Sequence, residues 1–232
     1  MHILKIGPVF SRVSSGIFRS PKRWWGVVVS NFSIVQSISA ELRRQIIMAL
    51  DATPDSDFGV DGNVEKVAFE SPAANLPEST LASLFLFHIG IDGHRRNQRP
   101  LPDPDADDQF RKPPLPLRLR YLFTPVSAEE ATNQLLIGRL IQHFHDQPSF
   151  DTLSGVPLGD SHGGAPRRIL VRFEMFEIEQ LTQIWSAFSK PWRLTLPLLI
   201  ETAAIDSARP PQQLPRVDQF ATGVGQTPRR RG

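Results

Sequence analysis

Three short patterns in this chain bring reactive side chains together. Gly159-Asp-Ser-His-Gly163 has the G-x-S-x-G form, which in hydrolases lifts a serine oxygen on a sharp strand-to-helix turn for attack on a carbonyl. His143-x-His145-Asp146, with His162 and His88 elsewhere, offers the nitrogen and oxygen donors that bind zinc. Asp103-x-Asp105-x-Asp107-Asp108 begins like a calcium loop.

Each pattern lacks the element that would make it work. Leu153-Ser-Gly-Val-Pro-Leu158 is a poor strand, and Gly164-Ala-Pro-Arg-Arg168 leads into a strand rather than a helix. The serine loop therefore reads as a flexible glycine-rich segment, with Ser161 kept as the nucleophile of an alternative hydrolase reading. Residues two apart on a helix face away from each other, so His143 and His145 do not share one ion. The negative end of a helix dipole accounts for both. An EF-hand needs glycine at its sixth and glutamate at its twelfth position; here those are Asp108 and Pro114, which leaves a solvated acidic loop. No G-x-x-x-x-G-K-[ST] or G-x-G-x-x-G phosphate loop is present. No catalytic, cofactor-binding or metal site is expected.

The bulk properties narrow the field further. A chain of 232 residues buries a real core. It has no cysteine, which removes disulfides and thiolate chemistry, and its 21 prolines call for many turns. Charge is unevenly spread. Residues 1–30 carry Lys5, Arg12, Arg19, Lys22 and Arg23 with no acid; residues 207–232 carry five arginines and only Asp218. The centre, 31–206, holds sixteen basic and twenty-three acidic residues. An acidic body with basic ends is not a polyphosphate groove, so no nucleic acid is expected as partner. The longest apolar runs fall far short of the ~20 residues that span a bilayer, so no membrane is expected either. Trp24-Trp25 beside Lys22 and Arg23 has the chemistry to stack bases or sit at a membrane surface, and reads at least as well as an assembly contact or simple packing.

The periodicities supply the elements. Apolar residues at 34, 35, 38, 42, 46, 49 and 50 mark one helix face, with Asn31 or Ser33 as cap and Pro54 beyond. Residues 64–69 are a short strand. Residues 81–91 are apolar on both sides, as in a covered sheet. Residues 92–114 form a polar, mobile hairpin loop. Leu115, Leu117, Leu119, Tyr121 and Phe123 alternate with Arg118 and Arg120, giving a strand with one buried face and one arginine face. That face is either an interface row for acidic partners or an exposed row paired to Glu174. Ser127-Ala-Glu-Glu130 is a capping box for a helix with a stripe at Leu136, Ile137, Leu140, Ile141 and Phe144. Ile169, Val171, Phe173 and Met175 form a fourth strand. Leu181, Ile184, Trp185 and Phe188 lie on a third helix. Trp192, Leu194, Leu196, Leu198 and Ile200 form a last strand, which Pro197 makes an edge or a bulged strand. The expected fold is a single α+β domain over 31–206: a mixed, mainly antiparallel sheet of about five strands with three helices packed on it. A basic extension (1–30) precedes it and a Pro/Arg-rich tail (207–232) follows.

Four blocks carry a resemblance. They are the helix from Ser33 to Leu50; Leu81-Ala-Ser-Leu-Phe-Leu-Phe-His-Ile-Gly-Ile-Asp-Gly-His-Arg-Arg-Asn97-Gln98; Pro113-Pro-Leu-Pro-Leu-Arg-Leu-Arg-Tyr-Leu-Phe-Thr-Pro125 running into Gln134-Leu-Leu-Ile-Gly-Arg-Leu-Ile-Gln-His-Phe-His-Asp-Gln-Pro148; and the segment 169–200 with Leu181-Thr-Gln-Ile-Trp185-Ser-Ala-Phe188 and Pro191-Trp-Arg-Leu194. Together they resemble the cap, or tail-terminator, proteins of phage-tail-like extracellular contractile injection systems, such as the anti-feeding prophage. The resemblance implies a tail-terminator-like fold and a structural role without bond chemistry or cofactor. Such a protein forms a six-fold homo-oligomeric ring on the last layer of tube and sheath protein, and so stops polymerisation. It implies assembly in the bacterial cytoplasm and then residence in the injection particle. The residues expected at the assembly interface are Arg95, Arg96, Asn97, Arg118, Arg120, Tyr121, Arg193, Arg229, Arg230 and Arg231. The readings of a different class are the Ser161 hydrolase and a monomeric adaptor domain.

Overall fold

The computed structural model describes residues 32–54, 56–95, 97–103, 106–158 and 168–213. The basic extension, Asn31, Arg96, Asp105, Ser161 and Arg229 to Arg231 lie outside the described residues.

In chain order the elements are α1 (Ile34–Asp51), a 3-10 turn (Val64–Lys66), β1 (Val67–Ala68), β2 (Ala82–Ile91), β3 (Leu101–Asp103), β4 (Ala106–Arg111), β5 (Leu115–Pro125), α2 (Glu130–Asp146), β6 (Ser149–Phe150), β7 (Thr152–Leu153), β8 (Val156–Pro157), β9 (Ile169–Phe173), α3 (Ile178–Phe188), β10 (Leu196–Ile205) and β11 (Gln212–Gln213). The main sheet runs β1-β2-β5-β10-β9-β6. Its one parallel pair is β1 with β2; the others are antiparallel. This is the mixed, mainly antiparallel α+β domain read from the sequence, with the two-residue β6 as a sixth strand.

The alternation of β5 divides the molecule. Leu117, Leu119, Tyr121 and Phe123 point to the face packed by α1 and α2, where they join Ile34, Ile38, Leu42, Leu50, Leu136, Leu140, Leu84, Leu198 and Ile200 in one core. Each large apolar side chain buried there contributes about 1.5–3 kcal/mol. On the opposite face, α3 brings Phe188 to Phe85 (ring centroids 5.9 Å apart) and to Trp185 (5.6 Å). Buried Leu122, the strand partner of Phe85, lies on that same side.

Several local expectations are corrected. The strand at 64–69 shrinks to Val67–Ala68, because the preceding residues form a 3-10 turn capped by Asn63. The capping box at Ser127 does not form. Val126 N–H still bonds Leu81 O, which holds the chain on the sheet and delays α2 to Glu130. A capping box is present instead on α3, between Glu177 and Gln180. Pro197 does not make β10 an edge: the strand lies between β5 and β9. Its missing N–H is harmless because pairing with β9 begins only at Leu198↔Phe173. The register shift in β10 falls later, between Ile200 and Ala203. The loop 92–114 contains the hairpin β3–β4, closed by Arg111 Nε on Asp103 Oδ2 at 2.7 Å. Gln212 and Gln213, read as tail, pair with β4.

Tyr121 is the protein's one tyrosine and is fully buried. Its hydroxyl lies 2.7 Å from Ser39 Oγ, which donates to Val35 O. Burial pushes its pKa from 10.0 up to about 12, against a smaller lowering by Ser39. A folded pKa above the unfolded one stabilises the fold fully below pH 10, and that contribution is lost as pH rises toward 12. The expected size is about 2–3 kcal/mol. Phenolate absorbance of the native protein should therefore titrate near pH 12 and that of the urea-unfolded chain near pH 10. In urea melts, Tyr121→Phe should abolish this part of the alkaline loss and cost about 1 kcal/mol at neutral pH.

Candidate functional site

The outer face of the sheet is where sequence and fold together place charge. Register sets Arg118 of β5 opposite Gly90, and Arg120 opposite both His88 of β2 and Leu199 of β10. Arg120 Nε lies 2.9 Å from each carboxylate oxygen of Glu174, and its Nη1 lies 3.1 Å from His88 Nδ1. Arg118 reaches toward Asp92 (3.7 Å) and Glu201 (3.9 Å), and Arg172 Nε sits 2.6 Å from Glu201. Three arginines meet three carboxylates, so this grid is neutralised within the chain. Of the two readings of the arginine face, the geometry matches pairing to Glu174. The carboxylates are more enclosed than the arginines, with Glu174 17% exposed against 28% for Arg120. Arg118 Nε is buried without a partner.

The other expected interface residues scatter. Tyr121 is a correction: inward alternation buries it in the core, and it touches no surface. Arg95 is half-buried in the turn after β2, where its N–H bonds Asp92 O. Asn97 and Arg193 are exposed.

Sequence reading missed an apolar rim at the two ends of α3. Met175, expected in a strand, lies past the end of β9 and is 93% exposed; Ile178, which opens α3, is 66% exposed. At the other end Trp192 and Leu194, also expected in a strand, sit in the α3–β10 connection and stand out beside Arg193. The signal was present as apolar residues off the α3 stripe, but strand alternation absorbed them. A shallow groove runs from Phe87, His88 and Arg120 to Met175, Phe176 and Gln180. A second groove joins Pro125, Ser127 and Glu130 to Trp192 and Arg193.

No metal-binding group of His, Asp and Glu occurs among the described residues. His143 and His145 lie in the last turn of α2, as expected; burial foremost, then Arg139, holds the His143 imidazole below its usual pKa, and Asp146 opposes them more weakly. His145 is exposed. No described helix is long and apolar enough to cross a membrane.

The profile of the Pvc16 N-terminal domain family matches residues 33–219. Among solved structures, the fold is similar to the sheath/tube terminator of an extracellular contractile injection system, PVC, in its extended state. That likeness has 15% identity and a TM-score of 0.51, covering 86% of this chain and 65% of the other. It is also similar to the tube-terminating cap of the anti-feeding prophage, with 12% identity and a TM-score of 0.52, covering 81% of this chain and 60% of the other. The chain thus spans less than two thirds of either protein's length. No curated protein matches it.

The ionic grid is partly solvated, so its pairs contribute modestly. Arg120→Ala and Glu174→Ala should each lower stability by about 1 kcal/mol, with a coupling of about 0.5–1 kcal/mol in a double-mutant cycle read by urea unfolding.

Proposed function

The chain belongs to the Pvc16 N-terminal domain family, and on that premise we propose that it caps the distal end of the tube and sheath of a contractile injection system, forming a ring that ends polymerisation. The observation that carries this reading is the family match over residues 33–219, joined to a fold shared with two proteins described as terminators.

The surface supports the reading in physical terms. Stacked layers join through an open-ended contact, and a cap must offer one complementary face while the other fails to continue the stack. Assembly contacts are enriched in Met, Trp and Arg and depleted of other charges at their centre. Met175, Ile178, Trp192 and Leu194 supply such a surface, with Arg193 beside it and Arg95 and Asn97 on the turn after β2. The grid of Arg118 and Arg120 behind that rim is paired within the chain. The partners are further copies of this chain in a hexameric ring, the tube protein and the sheath protein. Assembly takes place in the bacterial cytoplasm, after which the protein stays in the particle.

Solution mass and negative-stain images at low and moderate salt test this. Six-fold rings, or six-fold decoration of tube ends, are expected. Met175→Asp combined with Trp192→Asp should abolish both while lowering the free energy of unfolding in urea by no more than about 1 kcal/mol, since Met175 is almost fully and Trp192 about half exposed. A strict monomer that binds no tube or sheath end would sink the proposal and leave the adaptor reading.

A further inference from the structure

Two of the chain's three methionines, Met48 and Met175, lie among the described residues, and their sulfurs differ in setting. Met48, on α1, is 49% exposed, and Arg44 Nη1, one turn earlier in the helix, lies 2.7 Å from its sulfur. A guanidinium donating there engages the lone-pair density that an oxidant would need. Met175 is 93% exposed. Its neighbours in the chain explain why. Arg120 holds Glu174, with Nε 2.9 Å from each carboxylate oxygen, and the Glu174 N–H donates to Pro197 O at 3.1 Å. Phe176 is held by an edge-to-face contact with Phe87, ring centroids 6.0 Å apart. With both neighbours fastened to the outer face of the sheet, the thioether between them is turned out to solvent beside the groove of Phe87, His88, Arg120 and Gln180.

We propose that Met175 is a redox-sensitive modification site: hydrogen peroxide oxidises its thioether to the sulfoxide, and a subunit so modified does not join the ring. The step balances. The sulfur lone pair attacks one peroxide oxygen, the S–O bond forms as the O–O bond breaks, and the departing hydroxide leaves as water with the proton that the sulfur-bound oxygen sheds. Sulfur loses two electrons and the peroxide gains them. The product is a polar group in place of a soft apolar one. Its S–O dipole is solvated in the free subunit, and burying it against an apolar neighbour without a donor opposes association. A closed ring repeats that penalty in every copy. The change is reversible, since methionine sulfoxide reductases restore the thioether. The inference rests on the reading of Met175, Ile178, Trp192 and Leu194 as the rim that meets neighbouring subunits.

Hydrogen peroxide treatment of the full-length protein, with peptide mapping by mass spectrometry and solution mass on the same samples, tests it. In the dissociated subunit Met175 should oxidise at least about threefold faster than Met48. Oxidised protein should need at least about tenfold more subunit to form rings, and methionine sulfoxide reductase with a thiol reductant should restore assembly. Met48→Leu should lose assembly to peroxide as the parent does, whereas Met175→Gln, which sets a polar amide at the rim, should assemble poorly without any peroxide. Within assembled rings Met175 should react more slowly than in the dissociated subunit. Equal oxidation of Met48 and Met175, rings that persist with Met175 fully oxidised, or a Met175 that reacts as fast in rings as outside them would overturn this proposal and leave the capping reading standing. Untreated protein that never forms rings would instead overturn the capping reading, and this inference with it.

Discussion

The period-two alternation of β5 is the constraint on which the rest depends. The strand is paired on both sides, to β2 and to β10, so its register fixes two neighbours at once, and a slip by one residue would turn every side chain to the wrong face. With Leu117, Leu119, Tyr121 and Phe123 inward, α1 and α2 have a continuous apolar surface to cover. With Arg118 and Arg120 outward, the opposite face must find carboxylates. β9 and its following residue, β10 and the turn after β2 supply them as Glu174, Glu201 and Asp92. Ser39 reaching Tyr121 then satisfies the polar atom that burial of a tyrosine brings into the core.

The two faces of the sheet consequently have different uses. The helix-covered face is a packed interior whose tolerance for change is small. The outer face is an ionic surface with α3 laid across part of it. Met175, Ile178, Trp192 and Leu194 are among the apolar side chains left exposed, at the ends of α3 where the chain enters and leaves the layer. Residues that hold the sheet's outer face are paired within the chain, and exposed apolar residues sit on its rim.

Local rules failed where a tertiary contact outranked them. The capping box at Ser127 lost to the backbone bond from Val126 to Leu81, which extends the strand through the place where a helix would begin. At His143, burial and Arg139 hold the imidazole below its usual pKa, although it sits in the last turn of α2. Pro197 sits in a central strand because the strand beside it stops where the missing donor would be needed. Met175 and Trp192 fitted a strand alternation, yet each lies outside the strand it was read into, because the chain turns to carry α3 over the sheet.

By itself the sequence determined the α+β class, three helices with their apolar stripes at 34–50, 136–144 and 181–188, the arginine face of the central strand and the resemblance to tail terminators. These rest on side-chain periodicity and word-like blocks, which are local in the chain. Only the tertiary structure decided that the Tyr121 hydroxyl meets Ser39, and that Arg118 and Arg120 are neutralised by Asp92, Glu174 and Glu201. Those outcomes depend on which strand lies next to which, and pairing between residues up to 83 positions apart leaves no periodic trace in a single sequence.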